Sequence, residues 1–153
     1  MEDEERADRR AAIVGLMQAE TGIDEAMIER LVRSFYARAR EDGLLGPVFA
    51  ARIDDWEPHI ARICAFWSSV MLMTGDYHGQ PMRRHLPLPV GGAHFDRWLA
   101  LFAETARSVC PPAAAERFVD RARRIGQSLE LGIAMARGVR LARGERLPPP
   151  APA

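Results

Sequence analysis

The chain has 153 residues, of which 48% are hydrophobic and 27% are charged, a balance typical of one soluble globular domain with a sizeable core. Lysine and arginine together number 21, as do aspartate and glutamate, so the zero net charge gives no sign of a nucleic-acid or membrane-surface partner. No apolar run is long enough to span a bilayer, and the charged N-terminus lacks the apolar stretch of a secretion signal. We therefore expect a cytoplasmic protein in which Cys64 and Cys110 stay reduced.

Helical patterns begin at the N-terminus. Residues 2–19 predict a charged first helix, and we assign residues 1–22 to an extension that precedes the main domain. Asp24 stands where the N-cap of a second helix is expected, and apolar residues then recur at helical spacing as far as Ala39. The sequence therefore predicts a capped, amphipathic second helix.

The middle of the chain combines helix with one long irregular segment. Residues 44–51 predict a short helical turn, and Asp54 and Asp55 are expected to cap the helix that follows. Gly75 is expected to end that helix. The stretch 75–92 is rich in glycine and proline, with a short helical piece expected only at 82–86. A loop of this length inside a compact domain is usually functional.

The last part predicts two long helices and a tail. The helices are expected at about 93–109 and 113–138, and the proline-rich residues 144–153 are expected to be disordered. No segment has a convincing strand pattern. We therefore predict an all-α protein with its domain at 23–143.

Histidines are the informative candidates for chemistry, because the familiar enzyme motifs are missing. His59 lies on an otherwise apolar helix face, His78 lies in an expected exposed turn, and His94 begins a helix where we expect it to face solvent. Taken by itself, His85 is an ordinary loop histidine. Zinc is a poor explanation for the four, since no two share the i, i+3 or i+4 spacing of one helix and no cysteine pair supports them.

A haem pocket requires less: one axial imidazole, an apolar slot and polar donors opposite. One wall is expected from the helix whose face carries His59, Ile63, Phe66, Trp67 and Val70. His85 follows after enough chain to reach the other side of a flat cofactor. Tyr36 and Trp98 are either core aromatics or inward-facing donors, and the residues alone leave that choice open.

An ordered set of short motifs resembles the group III truncated haemoglobins. The resemblance covers about residues 24–137 and rests on Phe35-Tyr36, Leu45-Gly46-Pro47-Val48-Phe49, Trp56-x-x-His59, Phe66-Trp67, the run from Thr74 to Pro81, His85-Leu86 and Phe95-x-x-Trp98. Groups I and II usually carry a Gly-Gly pair before the distal helix. Arg52-Ile53-Asp54-Asp55 stands there in this chain and favours group III.

This resemblance implies a truncated globin fold, a two-over-two helical sandwich around haem b. It implies that His85 is the proximal iron ligand and that Tyr36, His59 and Trp98 lie on the distal side. We expect His59 to gate the pocket and Arg83 or Arg84 to pair with a haem propionate. The remaining expected pocket residues are Phe35, Phe49, Ile63, Phe66, Trp67, Tyr77, Phe95 and Phe102.

The resemblance leaves two functions open besides a haem-free interaction module. The first is binding of oxygen, carbon monoxide, nitric oxide or a similar small ligand. The second is redox turnover of nitric oxide, nitrite or peroxide. Because the chain has no flavin or nicotinamide motif, turnover would need an external reductase.

Overall fold

Seven helices make up most of the computed structural model, which describes residues 1–75, 77 and 79–150. No strand occurs among these residues. The helices, in chain order, are α1 (Glu2–Thr21), α2 (Glu25–Ala39), α3 (Gly46–Arg52), α4 (Trp56–Leu72), α5 (Pro81–His85), α6 (Gly92–Val109) and α7 (Pro112–Ala136). The all-α prediction is confirmed.

Local chemistry explains the start and the buried face of α2. The Asp24 side chain accepts a hydrogen bond from the backbone N–H of Met27 at 2.8 Å, as predicted for an N-cap. The buried residues of α2 recur three or four positions apart and form one stripe: Met27, Ile28, Leu31, Val32, Phe35, Tyr36 and Ala39. Each large apolar side chain in such a stripe contributes about 1.5–3 kcal/mol through burial.

The main core lies between two helix pairs. Helix α2 packs against α4 on one side and α6 on the other, while α6 packs against α7. Phe102 and Phe118 are among the largest fully buried side chains of this core, with Ile28 and Leu31 of α2. The arrangement confirms the predicted two-over-two truncated globin fold.

A second, smaller core lies at the end of α7. Its buried members are Val90, Ile133, Ala134 and Leu147, and partly buried side chains from α3, α6 and the linker after α5 pack against it: Val48, Leu86, Leu88 and Phe95. Helix α5 therefore joins a linker that is packed separately from the main core. This matters for the site, because α5 ends at His85.

Two local predictions differ from the structure. Asp55 is the N-cap of α4, yet its side chain makes no capping hydrogen bond. The third residue of α4 is Pro58, which has no N–H to donate, so the favoured cap geometry is lost. The helix also ends at Leu72, before Gly75, because Met73 adopts a left-handed conformation with φ of 54°.

The C-terminal residues were expected to be disordered from residue 144, whereas the structure buries Leu147 in the second core. Residues 151–153 lie outside the described part of the chain. Of the helices described, none has the length and apolar character needed to cross a membrane.

Candidate functional site

Tyr36 and His59 meet between α2 and α4. The Tyr36 hydroxyl oxygen lies 3.1 Å from Nε2 of His59, a hydrogen-bond distance. Tyr36 is buried and His59 is half-buried. The helical spacing of each residue predicted an inward position, but not that the two side chains would bond to each other.

Burial sets the protonation of this pair. It raises the pKa of the Tyr36 phenol well above its ordinary value, with a smaller contribution from Cys64. It also lowers the pKa of His59 to about 4, assisted by the positive charges of Arg62 and Arg84 and by the neighbouring His85. At neutral pH the pair is therefore an uncharged phenol beside an uncharged imidazole, and both groups can donate or accept one hydrogen bond.

Aromatic rings enclose Tyr36. Phe49 and Trp56 lie with their ring centroids 5.5 Å and 5.4 Å from that of Tyr36. Trp56 also contacts His59 at 5.7 Å, and the Arg40 guanidinium lies over it, 4.4 Å from the ring centre. Trp56 was not among the expected pocket residues. Its position one helical turn before His59 was the signal that could have identified it.

Trp98 lies apart from the Tyr36–His59 pair. It stacks on Phe102 at 5.6 Å and meets the edge of Phe35 at 6.3 Å, and Phe35 in turn contacts Tyr36 at 5.2 Å. Trp98 is half-buried, and within the described residues its indole N–H has no hydrogen-bond partner. This group is therefore a free donor that reaches Tyr36 only through Phe35.

His85 has one ring nitrogen fixed and one free. Its Nδ1 lies 2.6 Å from the backbone oxygen of Pro81, one turn earlier on α5. A carbonyl oxygen only accepts, so Nδ1 carries a proton, and in the neutral ring Nε2 then has the lone pair. No described residue hydrogen-bonds to Nε2. An N–H held by a backbone carbonyl is the usual arrangement of a metal-ligating histidine.

Cationic side chains flank the region between His85 and His59. Arg83 and Arg84 are exposed and form no ion pair with the described residues. Arg62, one turn after His59, is also exposed and influences His59 electrostatically. Arg52 at the end of α3 donates to the backbone oxygen of Pro87 at 3.0 Å. Arg52 and Arg62 were not predicted as residues of this region, because surface arginines give no distinctive sequence signal.

The remaining expected pocket residues divide into two groups. Trp67 and Phe102 are buried in the main core with their rings stacked 5.2 Å apart, and Phe35 contacts Phe102 at 5.6 Å. The others are only partly buried, from α3, α4, α6 and the loop after α4: Phe49, Ile63, Phe66, Tyr77 and Phe95. Within that group, Phe66 and Tyr77 are in edge contact at 5.4 Å.

The other two histidines take no part in this arrangement. His94 was expected to face solvent, but it is half-buried and its Nδ1 accepts a hydrogen bond from the Gly91 N–H at 3.0 Å. It therefore helps to cap α6. His78 lies outside the described residues. Within the described part of the chain, no three histidine, cysteine or acidic side chains are grouped so that they could hold a metal ion.

The residue types in this part of the molecule would fit a flat apolar cofactor held by one imidazole. Partly buried apolar side chains come from both cores: Phe49, Ile63, Phe66 and Trp98 from the main core, and Val48, Leu86, Leu88 and Phe95 from the second. Neighbouring residues of α3, Val48 and Phe49, belong to different cores. The free Nε2 of His85 and the free N–H of Trp98 are groups of the chemical types that would ligate an iron and donate to a bound ligand.

Known globins are similar to this chain in sequence and fold. The profile of the bacterial-like globin family matches residues 19–127. Group 3 truncated hemoglobin ctb of Campylobacter jejuni is 35% identical over 119 residues, which cover 74% of this chain and 93% of that protein. The crystal structure of the group III truncated hemoglobin from Campylobacter jejuni superposes with a TM-score of 0.67, covering 70% of this chain and 88% of that chain.

A second structure supports the fold alone. The hemoglobin from the thermophilic phototroph Chloroflexus aurantiacus is 24% identical, has a TM-score of 0.61, and covers 74% of this chain and 95% of its own. Residues 1–18 and 128–153 lie outside the range that the family profile matches.

Proposed function

Because this chain belongs to the bacterial-like globin family, as a group III truncated haemoglobin, we propose that it holds haem b through Nε2 of His85. Membership in the family makes it a haem-binding globin for small diatomic ligands. When bound, haem would supply an iron that binds such a ligand. The family alone does not assign the residues that hold the cofactor and the ligand in this chain.

The hydrogen bond from His85 Nδ1 to the Pro81 carbonyl oxygen is the observation that carries the proposal. It fixes one tautomer of the imidazole and directs the lone pair of Nε2 away from the helix that carries it. The bond is local to α5, so the ring keeps its orientation as long as the short helix is formed. His85 therefore acts as a prearranged ligand.

Tyr36, His59 and Trp98 form the ligand side in this proposal. We infer that Nε2–H of His59 donates to the Tyr36 oxygen, since this tautomer leaves the phenol O–H free to donate to a ligand. The Trp98 N–H supplies a second donor from α6. The enclosing rings of Phe49 and Trp56 exclude water from Tyr36, and the low polarity strengthens the hydrogen bond that Tyr36 makes.

Arg83 and Arg84 are assigned to the propionates of the cofactor. Both are exposed cations beside His85, and a guanidinium pairs well with a carboxylate. Pairs at an exposed edge contribute about 0–1 kcal/mol. Each arginine is therefore expected to slow the loss of haem only a few-fold.

A redox function is the second candidate, and the number of donors favours it. Two donors on the ligand side, the Tyr36 O–H and the Trp98 N–H, hold oxygen tightly, which suits turnover of nitric oxide, nitrite or peroxide better than delivery. The electrons would come from a separate reductase. Stopped-flow mixing of the oxygenated protein with nitric oxide, compared with a Tyr36→Phe, Trp98→Phe double variant, tests this candidate. Equal rates in both proteins would count against it.

Absorption spectra of the purified protein in the ferric, ferrous and carbon-monoxide-bound forms test the first proposal. We expect an intense Soret band in each form and a pyridine haemochrome spectrum of haem b. Purified protein that takes up no haem when haem is supplied would overturn the proposal and support a haem-free module.

A further inference from the structure

The C-terminal residues 144–150, here called the strap, are fixed to α7 by a buried carboxylate. Glu130 on α7 is 8% exposed. Its Oε1 accepts hydrogen bonds from Nε of Arg146 and from the backbone N–H of Leu147, both at 2.9 Å, and its Oε2 accepts from Nη2 of Arg146 at 3.1 Å. Arg146 also pairs with Asp96 on α6 at 2.7 Å. The strap is therefore bound to two helices.

The strap also contacts the start of α6. The Gly92 N–H donates to the Leu147 carbonyl oxygen at 2.8 Å, and Nη2 of Arg146 donates to the Gly92 carbonyl oxygen at 3.1 Å. A Cβ added at Gly91 would lie 2.9 Å from the Pro148 oxygen, so the two backbones approach closely. The Leu147 side chain, 3% exposed, is packed in the second core with Val90.

Residues 86–91, the linker between α5 and α6, connect these contacts to His85. The Leu88 N–H donates to the His85 carbonyl oxygen at 3.0 Å. Arg137, the residue after α7, donates to the carbonyl oxygens of Leu88 at 2.7 Å and Val90 at 2.9 Å. The linker is thus held by Arg137 at the end of α7. At its other end it leads into Gly92, which is bonded to Leu147 of the strap. The linker begins directly after His85 and is therefore continuous with the C-terminal end of α5.

We propose that the strap positions the proximal imidazole by holding the linker, with Glu130, Arg146 and Leu147 as positioning residues. The inference rests on the proposed role of His85 as the iron ligand. All three residues lie outside the range 19–127 that the family profile matches. The role of the strap therefore rests on the contacts of this chain alone.

The test compares Arg146→Ala and Leu147→Ala with Arg143→Ala in the haem-loaded, full-length protein. Arg143 is an exposed arginine that forms no ion pair with the described residues, so its variant controls for loss of charge. Resonance Raman spectroscopy of the ferrous protein measures the iron–histidine stretching band. Hydrogen–deuterium exchange measures the amides of Leu88, Val90 and Gly92.

We expect the band to shift or broaden in both strap variants. We also expect the linker amides to exchange roughly ten-fold faster, corresponding to about 1.4 kcal/mol of lost protection. Arg143→Ala should match the wild type in both measurements. If removing Arg146 prevents folding by leaving Glu130 unpaired, the Glu130→Gln, Arg146→Gln double variant replaces it, because it removes both charges together.

The outcomes separate this inference from the proposed function. A wild-type band that survives His85→Gly would overturn the role of His85 and this inference with it. A band that depends on His85, but is the same in the strap variants as in Arg143→Ala, would overturn the strap alone.

Discussion

At the scale of single residues, the ligand side combines a bonded pair with a separate donor. Tyr36 and His59 are in direct hydrogen-bond contact, whereas Trp98 is connected to them only through the ring of Phe35. Substitutions within the pair are therefore expected to couple, and substitutions across Phe35 are expected to be nearly additive.

Tyr36→Phe and Trp98→Phe are each expected to accelerate oxygen release. A hydrogen bond from an O–H or N–H in a dry pocket to the polar oxygen ligand contributes about 1–3 kcal/mol, or roughly ten- to hundred-fold in rate. Carbon monoxide is much less polar and should respond little. Stopped-flow measurement of the release of both gases checks this. Equal acceleration for both gases would mean that the rings act only through packing.

His59→Leu tests the gating role expected for His59. If the imidazole gates the pocket, ligand association rates should change more than the oxygen release rate. The bond to Tyr36 gives His59 a second role, which a double-mutant cycle with Tyr36→Phe isolates. An additive cycle would show that His59 does not orient the phenol in the ligand-bound protein.

Stability should fall with acidity through His59. Its pKa is about 4 in the folded chain, while an unfolded histidine titrates near its ordinary value. Between these two values the unfolded state binds a proton that the folded state does not, so stability is lost as the pH falls. The loss is at most about 1.4 kcal/mol per pH unit, and less here because the ring is half-exposed.

Urea unfolding between pH 7 and pH 4 measures this loss. His59→Gln cannot titrate, so its free energy of unfolding should fall less steeply than that of the wild type over the same range. Parallel curves for the two proteins would show that other groups account for the pH dependence.

At the scale of elements, two aspartates at helix starts give a matched comparison. Asp24 makes its capping bond, whereas Asp55 does not. Asp24→Ala is expected to lower the free energy of unfolding by about 1 kcal/mol, and Asp55→Ala by only a few tenths. Urea denaturation of both variants checks the difference. Equal losses would mean that side-chain capping is not what distinguishes the two helix starts.

The helices were predictable because each has an apolar stripe or a clear end signal. The stripe of α2 and the Pro111-Pro112 pair at the start of α7 placed those elements within a few residues. Details that depend on one missing N–H or one backbone angle were not predictable. The missing cap at the start of α4 depends on Pro58, and the end of α4 depends on the left-handed backbone of Met73. The contacts of the site were less predictable still. The Tyr36–His59 bond joins residues from two helices, and periodicity within one helix carries no information about its partner.

At the scale of the whole molecule, the two ends of the chain differ in how they are attached. Helix α1 has 20 residues, of which only Thr21 is buried, and Ile13 and Leu16 are 53% and 67% exposed. The strap is much shorter, yet its Leu147 side chain is buried, and Arg146 and Leu147 donate hydrogen bonds to the Glu130 carboxylate. We propose that α1 is an extension outside the globin domain and that the strap is part of the globin domain.

Deleting residues 2–16 is therefore expected to lower the free energy of unfolding by less than about 1 kcal/mol, as for other exposed positions. Deleting residues 144–153 should cost more than about 1.5 kcal/mol, since it exposes the surface that Leu147 buries. Thermal and urea unfolding of the two truncated proteins gives the comparison. A larger loss from the N-terminal deletion would reverse these assignments.

The identity of the iron ligand is central to the whole account, and imidazole rescue of His85→Gly tests it most directly. In the ferrous protein, this variant should lose the spectrum of a histidine-ligated haem and the iron–histidine stretching band. Added imidazole should restore both, because the free ligand can occupy the space that the side chain leaves. A ferrous spectrum that is unchanged in His85→Gly without imidazole would contradict the assignment and move the ligand to another histidine.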